Sequence, residues 1–223
     1  MIATARMAVL DLRTVWPYRF YCVAVFGLGV VVFADKPIWF VPGLVLLFTS
    51  QIAPYPFNVS DKAGLETLYA ILPLSRRSVL YGHYVWATAC FLATATVGTA
   101  LALLLAHVQA VPFGGRTLAT MLTLSWALFA VNVAIQFPLL IRFGYTRVSV
   151  LGTTLPLAVV VGAVYKLHLN LASTQTWLPP LLCAVGVVAL VTSAAVATTA
   201  DRQRVRRPGP IRDGRAVRTG TAR

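Results

Sequence analysis

Long apolar runs are the feature that most constrains the fold of this chain. A helix that crosses the hydrocarbon core of a bilayer needs roughly 20 mostly apolar residues. Only 11% of the residues are charged and 58% are hydrophobic, whereas soluble domains carry about 25% charged residues. The sequence therefore predicts an all-α integral membrane protein with six transmembrane helices, at about 18–34, 38–54, 80–106, 117–141, 148–165 and 177–199.

Basic residues set the expected orientation of these helices. If the N-terminus lies inside and the helices alternate in direction, sixteen of the nineteen Lys and Arg residues fall on the inner side. The three on the outer side are Lys36, Arg116 and Lys166. Because cytoplasmic loops are enriched in Lys and Arg, we expect both termini and the segment 55–79 to be cytoplasmic.

The N-terminal segment, residues 1–17, is predicted to form a separate interfacial helix before the transmembrane domain, residues 18–199. Arg6 and Arg13 are seven residues apart and share one helical face. The other face carries Ile2, Val9, Leu12 and Trp16. This pattern is typical of a helix lying in the membrane interface, which Pro17 would separate from the first span. A frayed N-terminus is the alternative.

The C-terminal segment, residues 200–223, is rich in Gly and Pro and holds eight arginines. Such a composition predicts a disordered tail. Beside a membrane, a basic tail is attracted to anionic lipid headgroups, so membrane lipid rather than nucleic acid is its expected partner.

A charged insert interrupts the apolar runs between the second and third spans. Pro54 and Pro56 are expected to end the second span, because proline restricts itself and the residue before it. Ser60 or Asp61 would then be the N-cap of a short helix that ends at Pro73. An apolar stripe at helical spacing runs along it, through Leu65, Leu68, Tyr69 and Leu72.

Acidic residues on the opposite face of this helix bear on its role. Asp61 and Glu66 flank Lys62 and are two of only six acidic residues in the chain. Negative charge beside an anionic leaflet disfavours lipid binding, so we interpret the insert as a docking surface for a protein partner with a basic groove. A helix that merely anchors the loop to lipid is the alternative.

The same stretch resembles the signature region of permease subunits of type-2 ABC exporters, in their bacterial branch. The matching residues are Phe57, Asp61, Lys62, Leu72, Pro73, Ser75, Arg76 and Tyr84. The N-terminal "VLDLRTV" is similar to the interfacial elbow helix of these permeases, with Asp11 and Arg13 matching. Two departures are a missing Glu between Asp61 and Lys62, and His83 where the family often has Lys. The motif covers about 30 residues, and the six-span layout extends the resemblance over residues 1–199.

The resemblance implies a half-transporter in the bacterial plasma (inner) membrane. It would pair with a second permease chain, forming a homodimer or a heterodimer, and with a cytoplasmic ABC ATPase. This chain has no Gly-x-x-x-x-Gly-Lys-Ser/Thr phosphate loop, so ATP and Mg would be held by the partner, and no cofactor is expected here. The predicted cytoplasmic coupling helix would dock the ATPase through Asp61, Lys62, Leu65, Glu66, Leu68, Tyr69, Leu72, Pro73, Ser75, Arg76 and Arg77.

Uncharged polar residues inside the spans have two possible roles. Asn132 and Gln136 share one face of the fourth span, and Gln51 lies in the second. Interhelical hydrogen bonding is the interpretation we favour, and lining a translocation path is the other. No Asp, Glu, Lys or Arg falls near the middle of a span, so a proton-coupled carrier would lack its usual ionisable group.

An ATP-driven exporter of a hydrophobic or amphipathic cargo is the function that these features favour. A non-transporting membrane scaffold or sensor that anchors a cytoplasmic partner is the second hypothesis. A membrane enzyme is the third. It would need a catalytic group, and neither a zinc-binding His-Glu-x-x-His motif nor a Gly-x-Ser-x-Gly nucleophile motif occurs in the chain.

Overall fold

The computed structural model describes residues 2–35, 37–63, 76–110, 114–145, 154, 158 and 177–206, and all regular structure in this part is helical. The elements are α1 (Ile2–Val15), a 3-10 turn (Trp16–Tyr18), α2 (Arg19–Phe33), α3 (Pro37–Ile52), α4 (Tyr55–Ala63), α5 (Arg76–Val108), α6 (Gly115–Phe143) and α7 (Leu178–Arg206). Five stretches in it are long and apolar enough to cross a membrane. They correspond to the first four and the sixth predicted spans. The fifth, 148–165, lies outside the described residues except for positions 154 and 158.

Helix α3 occupies the centre of the described bundle and packs against α2, α5 and α6. Its contacts with α2 form a helical hairpin around Asp35. Gly29 lets α2 approach α3 closely, since a Cβ there would lie 2.6 Å from Leu44 Cδ1. The rings of Phe26 and Phe48 meet edge to face, 5.9 Å apart.

Small residues allow α5 to pack tightly on α3. Ala95, Gly98 and Ala102 are buried and follow helical spacing. A Cβ on Gly98 would lie 3.2 Å from Leu44 Cδ2. Small residues are the usual means by which membrane helices approach closely. The small residues of the run "ATATVGTALA" therefore serve helix packing within the chain.

Proline fixes the point where α3 ends. The carbonyl of Ser50 cannot receive a hydrogen bond from residue 54 because Pro54 has no N–H. In place of that bond, Gln136 Nε2 on α6 donates to the Ser50 carbonyl oxygen at 3.1 Å, and Gln136 is fully buried. In a membrane every backbone polar group must be satisfied inside the protein. The interhelical bond thus fills a gap that the proline creates.

The two ends of the bundle carry the charged residues. Asp35 and Arg116 lie at the end where Gln109 Nε2 donates to the Ala34 carbonyl at 3.1 Å. The opposite end carries Asp61 and Arg142, and we name it the Asp61 end. Helix α5, with 33 residues, is about 50 Å long at 1.5 Å per residue. It exceeds the roughly 40–45 Å of a whole bilayer, so its first turns extend beyond the hydrocarbon at the Asp61 end.

Two boundaries differ from the sequence-based expectation. The predicted N-cap at Ser60 or Asp61 is wrong, because α4 already begins at Tyr55. Pro56 lies in its first turn, where the missing N–H has no helical partner to lose. Helix α7 continues to Arg206, beyond the predicted start of the tail at 200, and Pro208 follows closely, as is common after helix ends. The rest of the predicted tail, 207–223, lies outside the described residues.

The bond between Gln136 and Ser50 leads to a stability prediction. Replacing Gln136 with Met keeps the volume but leaves the Ser50 carbonyl without a donor. We expect the free energy of unfolding to fall by about 1 kcal/mol, measured by thermal or denaturant unfolding in detergent. Thr123→Val in the same helix is the matched control, because its hydroxyl bonds only carbonyls of α6 itself. Equal stability of the two variants would contradict the proposed role of Gln136.

Candidate coupling site

A buried acid–base pair joins α1 to α5 at the Asp61 end. Met7, Asp11 and Val15 recur every four residues and form the buried face of α1, which packs on α5. Asp11 is 2% exposed and His83 is 6% exposed. Asp11 Oδ2 lies 2.8 Å from His83 Nδ1. Because a carboxylate only accepts hydrogen bonds, Nδ1 is the donor of this pair.

Phe57 connects α4 to the same pair. Its ring centroid lies 4.5 Å from that of His83. On another side it meets Phe137 of α6 edge to face, at 5.2 Å. Phe137 is fully buried. Through Phe57, the short helix α4 therefore contacts both α5 and α6.

Tyr84 extends these contacts to α7. Its ring lies 5.0 Å from that of Phe137, and its hydroxyl lies 2.7 Å from Ser193 Oγ. We name Asp11, His83, Phe57, Phe137, Tyr84 and Ser193 the junction. It links α1, α4, α5, α6 and α7 by direct side-chain contact.

The end of α6 lies against the end of α4. Gly144 caps α6 with a φ of 78°, and its N–H donates to the Leu140 carbonyl at 2.8 Å. A Cβ on Gly144 would lie 3.2 Å from Asp61 Oδ2. Two features favour glycine at this position. Its φ is positive, and a side chain would meet the Asp61 carboxylate. Beside it, burial raises the pKa of the Tyr145 phenol, and Tyr21 adds a smaller rise.

The predicted docking residues fall largely beyond the described part of the chain. Asp61 and Lys62 form the last turn of α4, with Asp61 half-buried and Lys62 exposed. Arg76 and Arg77 begin α5. Leu65, Glu66, Leu68, Tyr69, Leu72, Pro73 and Ser75 lie outside the described residues. Their docking role stays a prediction.

The predicted polar residues of the spans lie at helix contacts. Gln136 bonds Ser50 as described above, and Asn132 Nδ2 is 3.5 Å from Gln136 Oε1. Tyr21 donates its hydroxyl to Gln51 Oε1 at 3.4 Å, between α2 and α3. A role in lining a translocation path stays a prediction. Within the described residues no three His, Cys, Asp or Glu side chains come together as a metal site.

The pairing of Asp11 with His83 was not predicted from the sequence. The sequence did hold a clue to this pairing. Asp11 matches the elbow helix of type-2 ABC permeases, and the position of His83 often holds Lys in these permeases. Opposite charges at two such positions suggest a contact. Without a fold, however, nothing places two residues separated by 72 positions next to each other.

Comparison with known proteins identifies the family. No curated protein and no solved structure matches the chain significantly. A family model described as ABC-2 family transporter protein matches residues 7–199, which include α2 to α6 and most of α1 and α7. The resemblance to type-2 ABC permeases is thereby confirmed, and the bacterial branch stays a prediction. With several helices able to cross a membrane, this chain is a multi-pass membrane protein and belongs to the ABC-2 transporter family.

Proposed function

We propose that this chain is the membrane-spanning permease subunit of an ATP-driven exporter. A separate cytoplasmic ATPase would bind ATP and Mg and supply the energy, and a second permease chain would complete the transporter. Family membership supports this proposal. The sequence holds no Gly-x-x-x-x-Gly-Lys-Ser/Thr phosphate loop, which agrees with ATP binding in a separate chain.

The observation that carries the proposal is the contact of Phe57 with His83 and Phe137. Helix α4 is continuous with the segment predicted to dock the ATPase, which begins at Asp61. Any displacement of α4 moves Phe57, which touches α5 and α6 directly. Packed aromatic cores do not deform continuously and shift between discrete arrangements. The junction is therefore suited to pass movement of the docking segment to the transmembrane helices.

The Asp11–His83 pair would keep α1 and α5 in a fixed relative position while movement passes through the junction. It holds α1 against the first turns of α5 while Phe57 presses on the same imidazole. A buried charged group is costly once its partner is removed. The pair therefore resists sliding of α1 along α5, and force applied at α4 is passed along α5 instead of being lost at this contact.

The cargo we propose is hydrophobic or amphipathic. Helices α2 and α7 expose large aliphatic side chains, including Val23, Val31, Val188 and Val191. These faces suit lipid or a second permease chain. Gln51 and Gln136 form interhelical hydrogen bonds, and Asn132 bonds Gln136 within α6. The small number of such polar groups favours an apolar path over one for ions.

Charge reversal tests the docking surface. In a double variant, Asp61→Lys with Glu66→Lys, we expect co-purification of the ATPase to fall about tenfold, because like charges would face the basic partner. Membrane insertion should be unchanged. Asp35→Lys is the matched control, since Asp35 is acidic and exposed at the other end of the bundle. Unchanged association of the double variant, or equal loss in the control, would refute docking at this segment.

Substitutions at position 83 test whether the Asp11–His83 pair stabilises the contact between α1 and α5. His83→Leu leaves Asp11 buried without a donor, so we expect the free energy of unfolding to fall by about 3 kcal/mol. His83→Lys keeps a hydrogen-bond donor and a positive charge, as in the resembling permeases, and should cost less than about 1 kcal/mol. Denaturant unfolding in detergent measures both. Equal stability of the two variants would contradict a stabilising role for the Asp11–His83 pair.

The exporter and scaffold hypotheses differ in what accompanies the chain and in what it does. Affinity purification in mild detergent should yield an ATPase at about one copy per permease chain, the proportion of a half-transporter. Reconstituted vesicles should then show flux that requires ATP. A bound partner without such flux would favour the scaffold instead.

A further inference from the structure

Helix α6 contains a proline directly beyond the junction. Pro138 lies inside the helix, between Phe137 and the cap at Gly144. Because proline has no N–H, the Ala134 carbonyl receives no helical hydrogen bond from position 138, and the proline ring crowds that carbonyl. Proline is one of the few causes of sharp helix kinks. The backbone of α6 is therefore weakened at this point, although the helix continues to Phe143.

The two sides of Pro138 are held differently. Before it, Gln136 and Phe137 are fully buried, and Gln136 is bonded to the end of α3. Beyond it, Leu140 is buried, but Phe143 is 47% exposed at the end of the helix. The part of α6 before the proline is therefore fixed in the bundle, and the last turn is held less tightly.

Helix α4 contacts α6 on both sides of Pro138. Phe57, near the start of α4, meets the ring of Phe137 before the proline, at 5.2 Å. Asp61, one turn later, lies against Gly144 beyond the proline, where a Cβ would be 3.2 Å from its Oδ2. The two contacts are four residues apart on α4 and seven on α6, about 6 Å and about 10 Å along the helix axes. A tilt of α4 about Phe57 therefore displaces the end of α6 relative to the rest of that helix.

We propose that Pro138 is the hinge at which movement of α4 bends α6, and thus a positioning residue for transport. A partner that displaces the docking segment tilts α4 about the contact between Phe57 and Phe137. Asp61 then carries the end of α6 with it, and the helix bends at Pro138 while its earlier part stays packed on α3. This role rests on the proposed function, because the ATPase supplies the displacement.

Hydrogen exchange on the purified full-length chain tests the hinge without any partner. Pro138→Ala supplies the N–H that the Ala134 carbonyl lacks. The backbone amides of residues 139–143 should therefore exchange about tenfold more slowly than in the unmodified chain, whereas those of residues 117–133 should be unchanged. Mass spectrometry of peptides from the two proteins measures both rates. Equal exchange of residues 139–143 in the two proteins overturns the hinge.

The same measurement on the complex with the ATPase tests whether α4 drives the hinge. Exchange is compared between the nucleotide-free complex and the complex trapped with ATP and orthovanadate. We expect exchange of residues 139–143 to change about threefold between these states, and Pro138→Ala to remove that change. A change in α4 without any change in residues 139–143 overturns the hinge and leaves the proposed function standing. No change in either segment contradicts the proposed function itself, and with it this role.

Two further variants separate bending from the mere presence of the proline ring. Pro138→Gly also restores an N–H, but glycine is a weak helix former, so bending and the response to nucleotide should be retained. Pro42→Ala removes a proline from inside α3 and should leave exchange at the end of α6 unchanged. Loss of the response in Pro138→Gly as well as in Pro138→Ala would assign it to the ring and overturn the hinge.

Thermal unfolding in detergent completes the test. Because Pro138→Ala adds a helical hydrogen bond, it should melt no lower than the unmodified chain while losing the response to nucleotide. A purely structural role of Pro138 predicts the opposite, a lower melting temperature with the response intact in the folded fraction. That outcome would overturn the proposal.

Discussion

The missing N–H of Pro54 is the constraint on which the Asp61 end of the molecule depends. It ends α3 at Ile52 and leaves the Ser50 carbonyl to be paired by Gln136. Because an unsatisfied carbonyl is costly in a membrane, α3 and α6 are held together at this level. The chain then turns and starts α4, whose first turn presents Phe57.

Aromatic packing and a buried hydrogen-bonded pair serve different purposes in the junction. The rings of Phe57, Phe137 and Tyr84 pack in a row, and such contacts contribute area and shape but little direction. The Asp11–His83 pair is directional, because a hydrogen bond at 2.8 Å weakens quickly when its geometry changes. For the proposed coupling role, the pair would give the surface that α4 contacts a defined resting position.

The sequence predicted what depends on local composition and missed what depends on tertiary contact. Apart from the last turns of α7, the described membrane-spanning helices lie within a few residues of the predicted spans, because the thickness of the bilayer sets the length of an apolar run. The start of α4 was misplaced, since proline in a first turn and proline after a helix look alike in a sequence. Asp11 and His83 were noticed separately, but only the packing of α1 on α5 shows that they meet.

Helix α4 carries Phe57 near its start and Asp61 near its end, and with nine residues it is short enough to move as a unit. Phe57 contacts His83 and Phe137 of the junction, and Asp61 lies beside Gly144 at the end of α6. A movement of α4 therefore displaces both of these contacts at once. By reciprocity, a partner that binds one position of α4 more tightly also stabilises the matching state of the junction.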